Sequence, residues 1–207
     1  MNALWSQLKS WFGGASASGA PEFEPGGLIG AKLADVQARH DFFTFFHFAP
    51  LSTEKLPDAT QLTAFKPTGE AFRALVTLNA TTDQRGLITR LQLTVLRSFI
   101  EDPRQCIYAA DLVKSFLLAA VPTAQGDTVH SLAIEINARS MARSSMPMIT
   151  TQPLPQVPEF PSAAYQTYVA RERSGVVRYQ SGKWQVQLRN DTADGNAVLH
   201  LIVAPAP

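Results

Sequence analysis

Residues 70 to 100 constrain the fold more than any other stretch. Phe72, Ala74, Val76, Leu78 and Ala80 alternate with Arg73, Thr77 and Asn79, and then Leu87, Leu91, Leu93, Val95 and Phe99 alternate with Arg90, Gln92, Thr94 and Ser98. A period of two places the apolar set on one face of a strand. The intervening "TTDQRG" has the polar, glycine-ended composition of a hairpin loop. The pattern predicts a long antiparallel hairpin with one buried face, which needs further strands and a covering layer before it is stable.

The cover follows directly. In "EDPRQ" Asp102 is placed to cap a helix, Pro103 suits its first position, and Gln105 sits three residues after the cap, as in a capping box. Cys106, Ala109, Val113, Phe116, Leu117 and Ala120 form the apolar row of that helix, and Arg104, Tyr108, Asp111 and Ser115 its polar side. Pro122 ends it, so the predicted span is 103–121. Leu132, Ile134 and Ile136 then alternate with Ser131, Ala133, Glu135 and Asn137, which predicts a third strand carrying His130 as well.

Beyond residue 162 the chain reads as a meander of "AYQTYVARER", "VVRYQ", "KWQVQLRN" and "AVLHLIVA", with turn signals at Ser174-Gly175, Ser181-Gly182 and Asp194-Gly195. The last of these is apolar on both faces, which suits a central strand. Together these elements predict an α+β fold, an antiparallel twisted sheet of about six or seven strands with helix 103–121 packed on one face.

A second, aromatic-rich helix is predicted over 29–48, where Ile29, Leu33, Val36 and Phe43 share a row with His40 and His47, ending before Pro50. It contains "HDFFTFFHFAP", with Phe42, Phe43, Phe45, Phe46 and Phe48 inside seven positions. A helix so apolar around its circumference is buried or docked, although a short aromatic run also fits a strand. These five residues are the candidates for an apolar pocket or its rim.

The ends of the pattern set the domain organisation. Residues 1–12 place Leu4, Leu8, Trp11 and Phe12 on one face of a short amphipathic helix that also carries Trp5. A helix that short is marginal in water unless it lies on a surface, so Leu4, Trp5, Leu8, Trp11 and Phe12 are candidate docking residues for a partner or a membrane. Residues 13–27, built from Gly, Ala, Ser, Pro and Glu, have the composition of a flexible tether. A single α+β domain over 28–207 follows, with a proline-rich strap at 139–164, where five prolines preclude regular structure over most of the span.

Composition excludes several classes of function. With 18 basic against 17 acidic side chains and a net charge of +1, the chain offers no electrostatic footprint for nucleic acid. One cysteine, Cys106, rules out an internal disulfide framework. No apolar run is long enough to span a bilayer, and "MNALWSQLKSWFGG" lacks the basic and uninterrupted apolar regions of a secretory signal, so the expected address is cytoplasmic, with the membrane face as a peripheral site.

Chemistry is thin. His40 and His47 would sit two helical turns apart, and His130 and His200 lie in line with apolar strand residues, so no metal ligand set emerges. "RSMARSSMP" lacks a partnering His or Asp, Cys106 lies on an apolar row, and "GGLIG" follows no strand and lacks the spacing of a phosphate cradle. No catalytic residue, metal or cofactor is expected. The leading expectation is a non-enzymatic binding or scaffold module held to a larger assembly or a membrane face by residues 1–12, with a protein partner or self-association. A small apolar-ligand or lipid-binding domain with an aromatic-lined cavity is the alternative, and an enzyme the third.

Overall fold

The computed structural model describes residues 27–120, 128–145, 157–169, 176–181 and 184–206. The candidate docking residues Leu4, Trp5, Leu8, Trp11 and Phe12, and the tether up to residue 26, lie outside the described residues.

Two helices, α1 (Leu33–Arg39) and α2 (Asp41–Phe45), precede strands β1 (Phe48–Lys55) and β2 (Gln61–Pro67). A helical turn, α3 (Glu70–Arg73), leads into the hairpin of β3 (Val76–Thr82) and β4 (Ile88–Leu96). Helices α4 (Arg97–Glu101), α5 (Cys106–Ala120), α6 (Thr128–Arg143) and α7 (Ala163–Val169) follow, and then β5 (Val176–Ser181), β6 (Trp184–Ala193) and β7 (Asn196–Pro205). The seven strands form one antiparallel sheet in the order β1-β2-β3-β4-β7-β6-β5. Two meanders are therefore joined side by side, with Leu93 of β4 opposite Leu201 of β7.

The sheet's period of two decides its faces. Leu78, Leu91, Leu93, Leu188 and Leu201 are fully buried in one core with Val113, Phe116 and Leu117 of α5 and Leu132, Ala133 and Ile136 of α6. Each of these side chains larger than Ala133 contributes about 1.5–3 kcal/mol in transfer terms, so this layer dominates the stabilising side of the balance. Thr77, Asn79, Gln92, Thr94, Gln187 and Arg189 line the opposite face and stay partly open to solvent.

The α+β class, the antiparallel sheet of seven strands, the helix on its face and the central place of the last strand are as the sequence predicts. Asp102 does lead into α5: its carboxylate accepts from the Arg104 N–H at 2.8 Å, and its carbonyl accepts from Gln105 and Cys106.

Several elements differ. The strand expected at 132–136 is the middle of α6, where Val129, Leu132, Ala133, Ile136 and Ser140 form a buried row at helical spacing, with Glu135 and Ala138 buried beside it. His130 is accordingly on a helix. "AYQTYVARER" is not a strand where it is described: Ala163–Val169 is α7, burying Ala164, Tyr165, Thr167 and Tyr168. In place of these two, β1 and β2 supply strands that the sequence reading lacks. Residues 72–74 belong to the end of α3 and its cap, and residues 97–99 belong to α4 rather than to the hairpin. The strap is shorter than 139–164, since Arg139–Arg143 close α6 and Ala163 opens α7; residues 146–156 lie outside the described residues.

The helix expected over 29–48 is broken at His40, whose extended backbone (φ −82°, ψ 130°) stops α1. Its Nδ1 then accepts from the Phe42 N–H at 3.1 Å and caps α2. The left-handed backbone of His47 (φ 50°) turns the chain out of α2 and into β1, so Phe48 is a strand residue.

Glu135 holds α7 against α6. Its carboxylate, 4% exposed, accepts from Arg139 Nε at 2.8 Å, from the Ser162 N–H at 3.0 Å and from the Ser162 hydroxyl. The Ser162 oxygen in turn accepts from the Tyr165 N–H at 3.1 Å, capping α7. Arg139 also lies over the Tyr165 ring, 5.4 Å from its centroid, and donates to the Pro158 carbonyl. A charge this deeply buried is tolerated because each of these donors compensates its lost hydration.

Candidate functional site

The five clustered phenylalanines divide between two roles. Phe42, Phe43, Phe46 and Phe48 are buried, whereas Phe45 is 37% exposed. Helical spacing explains the division: Phe42, Phe43 and Phe46 share the inward face of α2 and its cap, and Phe45 points away from it. Phe42 meets Phe116 of α5 at 5.9 Å between centroids, and Phe43 meets Phe65 of β2 edge to face at 5.3 Å.

Phe45 and Phe46, themselves edge to face at 5.0 Å, form one wall of a surface groove. Pro67, Phe72, Val76, Phe99, Tyr108, Asp111 and Leu112 complete it, so the end of β2, the α3 turn, the start of β3, α4 and the first half of α5 all contribute. Phe72 bridges the far side, 5.4 Å from Phe99 and 6.3 Å from Tyr108. Of these nine described lining residues only Asp111 is ionised, and Lys114 lies 3.3 Å from its carboxylate. Burial pushes the Tyr108 hydroxyl above its ordinary pKa. The enclosed space is about 20 Å³, room for a water or the tip of one side chain.

The sequence reading places Phe45 and Phe46 at this site but misses Phe72, Phe99, Tyr108 and Leu112. One signal for them exists. Tyr108, Asp111 and Leu112 stand at i, i+3 and i+4 on α5, so the side of that helix read as polar carries an aromatic and an apolar residue next to its acid.

The histidines serve four separate places. His40 caps α2, and burial lowers its pKa, with Asp41 opposing. His47 is exposed on its left-handed turn, and His130 is half-buried on α6. His200 sits on the more open sheet face, where its Nδ1 lies 2.9 Å from Thr94 Oγ1 and 3.2 Å from Gln92 Nε2. The Gln92 amide donates to Nδ1, which leaves the ring proton on Nε2, 3.9 Å from Asp191 Oδ2. Burial lowers the pKa of His200, and Arg189 adds to the effect while Asp191 opposes it.

Thr94, His200 and Asp191 thus lie in the order of a hydroxyl, a base and an orienting acid. The last gap exceeds hydrogen-bond reach, and all three stand on a sheet face rather than in a cleft, so the grouping does not meet the geometry of an activated nucleophile. Cys106, buried between the Pro103 and Ser140 carbonyls, is held as a thiol by burial, which raises its pKa; nearby Arg143 opposes this. Among the described residues no group of three or more His, Cys, Asp or Glu side chains converges in a way that could hold a metal ion. Among them, too, no helix is long and apolar enough to cross a membrane.

Comparison of the chain with family models, with curated proteins and with solved structures finds no match in any of the three.

Proposed function

We propose that the domain is a non-enzymatic binding module that recognises a polypeptide partner by seating an apolar or aromatic side chain in the groove beside Phe45. The observation that carries this is the lining itself: five aromatic rings, Phe45, Phe46, Phe72, Phe99 and Tyr108, surround a recess in which Asp111 is the only ionised residue among the described lining. Partly exposed aromatic side chains around a small depression are the usual anchors of protein recognition, since they supply large apolar area at low conformational cost. The size of the recess favours a side chain over a lipid, because about 20 Å³ of enclosed space is far below the roughly 300–1,000 Å³ of ordinary ligand pockets.

The test is a titration with N-acetyl-tryptophanamide, followed through backbone amide shifts. It is run on the native chain and on one carrying Trp5→Ser and Trp11→Ser, so that the chain's own indoles do not compete. Saturable shifts at Phe45, Phe72, Tyr108 and Leu112, abolished by Phe45→Asp, are expected. Shifts centred on Thr94 and Gln187 instead, or none in either chain, overturn the assignment. Palmitate serves as the contrasting probe, and tighter binding of it than of the indole would favour an apolar-ligand carrier.

A further inference from the structure

The geometry points to an occupant for this groove within the same chain: residues 1–12, whose aromatic row lies across Phe45, Phe72 and Tyr108 and must be displaced by any outside partner. This rests on the groove being a docking site.

Three observations support it. The first is position. Leu28, the first buried residue among those described, donates its N–H to the Ala119 carbonyl at 2.7 Å, near the end of the same helix α5 whose first half builds the groove. Ala119 and Asp111 stand eight residues apart on that helix, or about 12 Å at 1.5 Å per residue. The fifteen residues 13–27 reach up to about 50 Å when extended, so the groove lies well inside their range. A segment joined so closely docks at an effective concentration in the millimolar range, which favours it over a free competitor of equal intrinsic affinity.

The second is chemistry. Residues 1–12 contain Trp5, Trp11 and Phe12, and their apolar row matches a groove walled by aromatic rings. The third is charge. The single ionised side chain of the segment is Lys9, and the single ionised side chain of the described lining is Asp111, a carboxylate that Lys114 approaches at 3.3 Å and that a second cation would join. A membrane surface suits the segment less well, since interfacial helices carry several basic residues on their polar face.

The experiment uses the full chain. Ser10→Cys places a thiol beside the aromatic row, and the one native thiol, Cys106, is buried, so a nitroxide maleimide attaches at position 10. Amide intensities are compared between the oxidised and reduced label. The amides of Phe45, Phe72, Tyr108 and Leu112 are expected to lose most of their intensity, while those of Arg178 and Gln187 on the opposite sheet face keep theirs. Phe45→Asp is expected to restore the lost signals.

Uniform or absent broadening overturns the inference. A mixture of isotope-free labelled chains with isotope-enriched unlabelled chains separates the two sources of contact. Groove broadening in that mixture shows a second copy on the groove, which also overturns it. If N-acetyl-tryptophanamide shifts the groove amides of the Trp5→Ser, Trp11→Ser chain while the label at position 10 leaves them untouched, only the identity of the occupant fails. If neither effect is seen, the docking site fails with it.

Discussion

The ring of Phe43 meets that of Phe65 edge to face, with 5.3 Å between centroids and 83° between planes, and so fastens α2 to the second strand of the sheet. Both rings are essentially inaccessible to water. Phe43→Ala is expected to cost about 3–5 kcal/mol through lost transfer energy and the cavity left behind. Phe45→Ala, two residues along and partly exposed, is expected to cost less than about 1 kcal/mol. Urea unfolding midpoints of the two variants check the contrast; equal losses would place Phe45 in the core.

Removing the Glu135 carboxylate leaves Arg139 without its buried acceptor and Ser162 without two bonds. Glu135→Ala is expected to lower stability by about 3–5 kcal/mol, as for other buried charge networks that lose one member. The loss should also be local, because α7 is fastened through Ser162. Limited proteolysis should cut near residues 157–162 in the variant before the sheet opens, and an unchanged cleavage pattern would argue against that role.

Stability should fall as pH drops from about 7 towards 5, before most carboxylates titrate. His40 and His200 both have folded pKa values below the ordinary 6.5, chiefly because of burial. The unfolded chain therefore takes up their protons first, so native stability is greatest above the unfolded value and declines as pH falls through it towards the lowered folded values. Protonation of His40 also removes the acceptor that caps α2. Urea midpoints measured across this range should show the decline, and the double substitution His40→Gln, His200→Gln should flatten it.

Cys106 should react with Ellman's reagent only when the protein unfolds. Its sulfur is buried, and burial raises its pKa, so both access and thiolate fraction are low in the native state. A native reaction rate close to that in denaturant would show that the start of α5 opens readily.

The legible parts of the fold are those whose burial follows a single period. In β3 every second residue from Val76 to Thr82 is buried, and β4 keeps the same period from Leu91 to Val95. In β1 only Phe48 is buried, because an edge strand with Pro50 and a bulge beside Leu51 has no hidden face to leave a pattern. In α6 the residues Leu132, Ile134 and Ile136 imitate a strand. The true row depends on Ala133 and Ser140, whose small size hides their burial from a hydropathy reading. The groove was half legible for a related reason. Phe45 and Phe46 announce themselves in a run of five, but Phe72, Phe99 and Tyr108 come from separate elements, and nothing local marks them as neighbours.

The join between the two meanders sets the order in which this chain can assemble. Neighbouring strands elsewhere in the sheet are also close in sequence, so their hairpins close on the microsecond scale. The β4–β7 seam is different: Thr94 and His200 touch across it although 106 positions separate them. Closing so long a loop carries an entropic cost that no contact offsets until the seam itself forms, and chains dominated by such pairings fold slowly. Until then β4 and β7 are both unpaired edges, and β7 presents Val198 and Ile202 on one side and Leu199, Leu201 and Val203 on the other. Nascent chains are therefore most vulnerable to pairing with one another through β7, a strand that in the finished molecule lies at the middle of the sheet.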